Sequence, residues 1–151
     1  MRVTVRRATT ADALALAELR WRWRTEERGE PDTDRDAFLA HFTAWAADHL
    51  ATHLPFLVDV DGQPSGMAWL MLAVRVPTPA SADRRIGDVQ SVYVVPELRN
   101  SGVGAALMDA VVAEALDRGL EHVTVHSSER AVPFYQRSGF ADGQRWLELR
   151  P

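Results

Sequence analysis

Val3 and Val5 alternate with polar and charged neighbours in "MRVTVRRATT", a period of two that predicts a first strand. The period then lengthens. "LALAELRWRWRTEE" predicts a helix, with Thr10 or Asp12 available to cap it. At 100° per residue Leu14, Ala17 and Trp21 fall on one side, and Leu16, Leu19 and Trp23 on nearly the opposite one. A helix apolar on two sides is either sandwiched in a core or lines a cleft with one face. "GEPDTD" reads as a loop, and Thr33 with Asp36 as a capping signal for a second helix. That helix carries Phe38, Phe42, Trp45, Ala46 and Leu50 and stops before Pro55.

"PFLVDV", "DGQPSG" and "MAWLMLAVRV" predict a hairpin with a slightly long turn, and "PTPASADRR" a loop. "GDVQSVYVV" is rich in β-branched residues and predicts a strand. Leu107, Val111 and Ala115 then recur at helical spacing, with Gly119 as the stop. "HVTVH" predicts a further strand, "ERAVPFYQRS" a short helix closed by Gly139, and "RWLEL" a last strand. The order β-α-α-β-β-β-α-β-α-β implies one α/β domain over residues 1–151, built on a mixed sheet.

Composition narrows the classes. Hydrophobic residues make up 46% and charged residues 25% of 151, ordinary values for a globular chain long enough to bury a core. The net charge of −4 argues against a general nucleic-acid binder, although 17 basic residues leave room for a local anion site. Cysteine is absent, which removes thiolate nucleophiles and cysteine-ligated metals. The amino terminus has no apolar signal core, and no apolar run approaches the roughly 20 residues of a membrane span. These features lead us to expect a cytoplasmic chain with no membrane partner.

The chemistry is carried by "PELRNSGVGAALMDAV", which sets two glycines where a helix should begin. A helix start leaves backbone N–H groups unpartnered and partly positive, and glycine lets an anion approach them. The plainer reading is a tight strand-to-helix turn. No Gly-Lys-Ser/Thr follows, so this is no P-loop, and Leu107 stands where a dinucleotide fingerprint needs its third glycine.

"VYVVPELRNSGVGAAL" resembles the acyl-CoA-binding motif of the GNAT acetyltransferase superfamily, Arg/Gln-x-x-Gly-x-Gly/Ala after a strand ending in Val-x-Pro. Arg99, Gly102 and Gly104 occupy its defining positions. "SSERAVPFYQRSGF" resembles a second signature of that family, matched at Ala131, Phe134, Tyr135, Gly139 and Phe140. The resemblance implies a single GNAT-like domain with a splayed central strand, flanking helices and acetyl-CoA as co-substrate. It implies that the main chain of Val92, Tyr93 and Val94 pairs with the pantetheine arm, and that the N–H groups of Asn100, Ser101, Gly102, Val103, Gly104 and Ala105 hold the pyrophosphate. Arg99 would add charge there or form a surface salt bridge. Ser128 stands where the family often has an asparagine.

The resemblance further implies acyl transfer to an amine by direct attack. This needs a neutral amine, a polarised carbonyl and a protonated leaving thiolate. Tyr135 is the family's proton donor for the last, unless it is a buried structural tyrosine. The Val94 N–H is the polarising donor. No glutamate stands on "HVTVH" to serve as base, which leaves Asp88, with Glu129 and His126 behind it, or no dedicated base.

His49 and His53 have a zinc-compatible spacing but no evident third ligand, so no metal is expected. Trp21 and Trp23 could line an acceptor pocket, as could Trp45 and Trp69, or all four could be core. Arg20, Arg22 and Arg24 are expected to point to several sides. The acceptor, a small-molecule amine or a protein amino group, is not specified. Homodimerisation through the last strand is expected of the family. A longer-chain acyltransferase and a non-catalytic acyl-CoA sensor are the alternatives.

Overall fold

The computed structural model describes residues 1–31, 34–143 and 145–151. Its elements are β1 (Val3–Arg7), α1 (Ala13–Trp21), α2 (Arg35–His49), β2 (His53–Val60), β3 (Gln63–Arg75), β4 (Arg84–Val94), α3 (Val103–Asp117), β5 (Val123–Val125) and α4 (Val132–Arg137). The five strands lie in sequence order. β1 to β4 pair antiparallel and β4 pairs parallel with β5, which makes the sheet mixed.

Both faces of the sheet are covered. On one, Val58, Leu70 and Val89 pack against Val103, Leu107, Met108 and Val111 of α3 and against Tyr135 of α4. On the other, Leu57, Met67, Trp69 and Tyr93 pack against Leu16 and Leu19 of α1 and Ala46 of α2. Neighbouring strand residues such as Leu57 and Val58 thus serve opposite cores, and this double burial explains why β2 and β3 read as apolar runs rather than alternating ones.

Local signals account for most boundaries. Asp61 (φ 50°) and Gly62 (φ 80°) both take positive φ, so the hairpin closes on Asp-Gly alone and β3 begins at Gln63, a tighter turn than "DGQPSG" suggests. The carboxylate of Asp34 caps α2 by accepting the Ala37 N–H at 3.0 Å. The capping role expected of Thr33 lies outside the described residues.

Two expectations are corrected. The first helix does not keep its pitch to residue 27. It widens into a π-helical segment over Arg22–Glu27, where the Thr25 hydroxyl donates to the Trp21 carbonyl at 2.7 Å and competes with the helix's own bonding. The last strand is also absent: residues 145–149 form none. A strand needs a partner edge, and β5 offers only Val123–Val125, so Trp146 instead lies against the His122 ring with centroids 4.8 Å apart.

Candidate active site at the split between β4 and β5

β4 leads into the glycine turn through a single 3-10 turn over Pro96–Leu98. Asn100 (φ 60°) and Gly102 (φ 86°) are both left-handed, so the chain coils tightly before α3 starts at Val103. From Asn100 through Ala105 no backbone N–H donates to a backbone carbonyl among the described residues; the first α3 bond is Ala106 N–H to Gly102 O at 3.1 Å. Consecutive N–H groups of this kind form an anion-binding concavity. The Ser101 hydroxyl braces the turn by donating to the Leu98 carbonyl at 2.5 Å.

The two glycines serve different ends. A Cβ on Gly102 would meet nothing within 4 Å, so only its dihedral calls for glycine. A Cβ on Gly104 would stand 3.1 Å from the Phe134 ring and 3.8 Å from Val94 Cγ2. Gly104 therefore lets α3 close onto α4, and the packing joins the two sequence motifs.

The sheet parts along the strand that leads into this turn. β4 and β5 are paired only over Gly87–Val89 and Val123–Val125, after which β4 runs on alone on that side. The register with β3 shifts between Met67 and Trp69, and Ser91 (φ 54°) takes up the extra residue as a bulge. Val95 N–H donates to Ser65 O at 2.9 Å, so by antiparallel alternation Val94 turns its own N–H and C=O toward the opening. Arg99 Nε donates to that Val94 carbonyl at 2.9 Å.

Tyr135 is 9% exposed, with Phe134 and Phe140 at centroid distances of 5.0 and 5.8 Å. Burial raises its phenol above the ordinary value of 10. Tyr135 also borders a groove of about 330 Å³ with Thr124, Val125, Ser127 and Trp146. That groove includes neither Gly102, Gly104 nor Val94; it runs along β5 and α4. Ser128 is exposed and begins the 3-10 turn before α4, its carbonyl accepting Ala131 N–H at 3.1 Å. Glu129 and His126 are exposed, and His126 Nε2 lies 3.2 Å from an Arg150 nitrogen.

Asp88 is held locally. Its oxygens accept from the Thr124 hydroxyl at 2.6 Å and from Gln90 Nε2 at 3.1 Å, which ties β4 to β5 where they part. It precedes Tyr93 by five positions, on the order of 16 Å along a strand. The carboxylate at Tyr93 is another one, Glu27, at the end of the π-helical segment. It accepts from the Tyr93 hydroxyl and from Arg99 Nη2 at 2.6 Å. Burial, with this hydrogen bond second, raises the Tyr93 phenol well above its usual range. Spacing in the sequence carries no sign of Glu27, which meets Tyr93 only through tertiary packing.

Trp23 stacks on Tyr93 at 5.6 Å with an interplanar angle of 4°. Around Trp23 stand the guanidiniums of Arg20, Arg24 and Arg28 at 5.2, 5.9 and 5.8 Å from the ring centroid. The expectation of scattered arginines is corrected: only Arg22 leaves the group, for Glu97 at 2.9 Å. Positions 20, 24 and 28 recur at i, i+4 and i+8, a spacing that sets them along one side of a helix. Trp21 packs on Phe38, and Trp45 and Trp69 pack with Phe42, so these three are core aromatics. His49 and His53 belong to the same aromatic cluster, with Nδ1 of His49 2.6 Å from the Trp45 carbonyl. Among the described residues no three potential metal ligands gather.

A mixed sheet whose strands part on the way into a glycine turn, with consecutive N–H groups there lacking backbone partners among the described residues, defines the class of this α/β domain. The chain belongs to the acetyltransferase (GNAT) family, whose pattern matches residues 14–140. It is 32% identical over 88 residues to a glucosamine 6-phosphate N-acetyltransferase of Trypanosoma brucei brucei, a match spanning 58% of each chain. It is 34% identical over 144 residues to an aminoglycoside N(6')-acetyltransferase type 1 of Stenotrophomonas maltophilia, covering 87% of this chain and 85% of that one. In structure it is similar to a predicted acetyltransferase with acetyl-CoA from Clostridium acetobutylicum, with 25% identity, a TM-score of 0.78, and coverage of 99% of this chain and 96% of that one.

Proposed function

We propose that the chain transfers an acetyl group from acetyl-CoA to a primary amine, by direct attack in a ternary complex. One observation carries this reading: the N–H groups from Asn100 through Ala105, without backbone partners among the described residues, follow a strand that has parted from β5 and whose Val94 N–H and C=O face the opening. The N–H groups suit a pyrophosphate, and the main chain of Val92, Tyr93 and Val94 suits the amides of a pantetheine arm. Val94 N–H polarises the thioester carbonyl, and the Tyr135 phenol returns a proton to the departing thiolate. As the amine nitrogen bonds to the carbonyl carbon, the carbon–sulfur bond breaks and coenzyme A leaves as the thiol, while the nitrogen sheds a proton to solvent and solvent returns one to the Tyr135 phenolate. The trypanosomal and Stenotrophomonas relatives favour a small amine-bearing acceptor.

Calorimetric titration of the purified chain with acetyl-CoA tests the donor site, and thiol release over a panel of amines tests the transfer. Saturable binding with amine-dependent release is expected. Binding without release would make the chain an acyl-CoA sensor, and a preference for longer donors would change the acyl class.

The same reading carries a homodimer. The outer edge of β5 pairs with no strand among the described residues, while Trp146, Leu147 and Leu149 beside it are 62, 97 and 86% exposed. Light scattering is expected to give twice the chain mass, and Leu147→Asp with Leu149→Asp to give a monomer. A monomeric wild type would end this part of the proposal. No helix of the described residues is long and apolar enough to cross a membrane.

A further inference from the structure

Resting on the donor site proposed above, we infer that Glu27 is the carboxylate that receives the acceptor's ammonium group, and that Arg99 latches it until the donor binds. Arg99 makes three contacts at once. Its Nε donates to Val94 O, its Nη2 donates to Glu27 Oε1 at 2.6 Å, and its guanidinium lies 5.6 Å from the centre of the Tyr93 ring. One cation therefore covers the Val94 carbonyl on the donor side and neutralises the carboxylate on the face of α1 and α2. Arg99 precedes the cradle N–H groups by a single residue and its side chain is 45% exposed, so it has room to turn toward an anion held there.

Donor binding asks for both of its partners. A pantetheine amide competes for Val94 O, and a pyrophosphate outbids a single carboxylate for the guanidinium by charge. Released from Arg99, Glu27 keeps the Tyr93 hydroxyl as its remaining donor and holds an unpaired negative charge beside the stacked Trp23 and Tyr93 rings. A primary ammonium supplies the missing cation, and the Tyr93 ring that Arg99 vacates favours it further. The proton then passes from the amine nitrogen to Glu27 Oε1, leaving the neutral amine that attack requires. The other charges near this place are Arg22, paired with Glu97, Glu26, 3.8 Å from Arg22, and the guanidiniums of Arg20, Arg24 and Arg28 around Trp23, of which Arg24 is paired with Glu30. Among these groups Glu27 alone touches Tyr93, the residue next to Val94.

The test is Glu27→Gln, read two ways. Calorimetry with CoA should show the variant binding about three-fold more tightly than the wild type, because no carboxylate holds Arg99 back; a half-exposed ion pair accounts for a change of about this size. Weakened or unchanged CoA affinity in a folded variant would overturn the latch and leave the donor site standing. Absence of CoA binding by the wild type would remove the donor site and this inference together. The second reading uses kanamycin and glucosamine 6-phosphate as amine probes. Where the wild type turns a probe over, kcat/KM of the variant should fall about 100-fold at pH 7, with the deficit shrinking as the pH nears the amine's own pKa. A deficit that is the same at every pH would overturn the carboxylate's role. Should Glu27→Gln fail to fold, Glu27→Asp, which keeps the charge but withdraws it by one methylene, should move both readings in the same directions, and no movement in either would overturn the proposal.

Discussion

Replacing Tyr135 with phenylalanine is expected to lower kcat about 100-fold while leaving KM for acetyl-CoA nearly unchanged. The ring is what the fold uses. It fills the space between Phe134, Phe140 and α3, whereas the hydroxyl has no hydrogen-bond partner among the described residues, so its loss opens no cavity and orphans no buried group. A rate loss in a variant of unchanged thermal midpoint therefore belongs to the proton. The pH profile sharpens the test. Because burial raises the phenol above its ordinary 10, its acid form persists through neutral and mildly alkaline pH. The wild-type kcat should consequently show no decline from this group until above about pH 10, and the phenylalanine variant should lack that decline. Steady-state thiol release across pH measures both. Undiminished turnover in the variant would remove Tyr135 from the chemistry and leave it as a core aromatic.

Gly102→Glu should abolish measurable acetyl-CoA binding. At φ 86° a new Cβ meets nothing within 4 Å, and a glutamate there brings a carboxylate to the concavity proposed for the pyrophosphate. Two like charges about 4 Å apart repel by roughly 4 kcal/mol at an effective dielectric of about 20, two decades or more in affinity. Any side chain with a Cβ is also strained there by about 1 kcal/mol. Gly102→Asn separates the two effects, since asparagine tolerates left-handed backbone and brings no charge. It should bind within about ten-fold of wild type. Equal losses in both variants would assign Gly102 to the turn alone. Gly104 is no substitute for this test, because an added methyl there would press on Phe134 and report packing.

Features set by neighbouring residues were open to reading in the sequence. Asp61-Gly62 closes a hairpin because both positions accept positive φ. Gly102 begins α3 for the same reason, and the runs of β2 and β3 mark strands buried on both faces. The two motifs also stood in order, although the contact that joins them, Phe134 against Gly104, has no counterpart in spacing. The π-helical pitch over Arg22–Glu27 left no mark in an apolar periodicity taken at 100° per residue. Arg20, Arg24 and Arg28 recur at i, i+4 and i+8 and so share a side in the sequence already, but their meeting at Trp23 depends on where that ring packs. The last strand failed for a different reason: "RWLEL" has the composition of a strand, but pairing is a property of two segments, and β5 is three residues long.

The sequence by itself thus determined the class of fold, the strand-to-helix turn and the family, because each rests on backbone preferences and motifs written within a few dozen residues. Only the tertiary structure decided which carboxylate meets Tyr93 and Arg99. Glu27 and Tyr93 are 66 positions apart, and Glu27 and Arg99 are 72 apart. They meet because α1 packs on one face of β4 while the glycine turn returns Arg99 across its end. A contact between groups so remote depends on how whole elements lie against each other, which no local pattern of residues encodes.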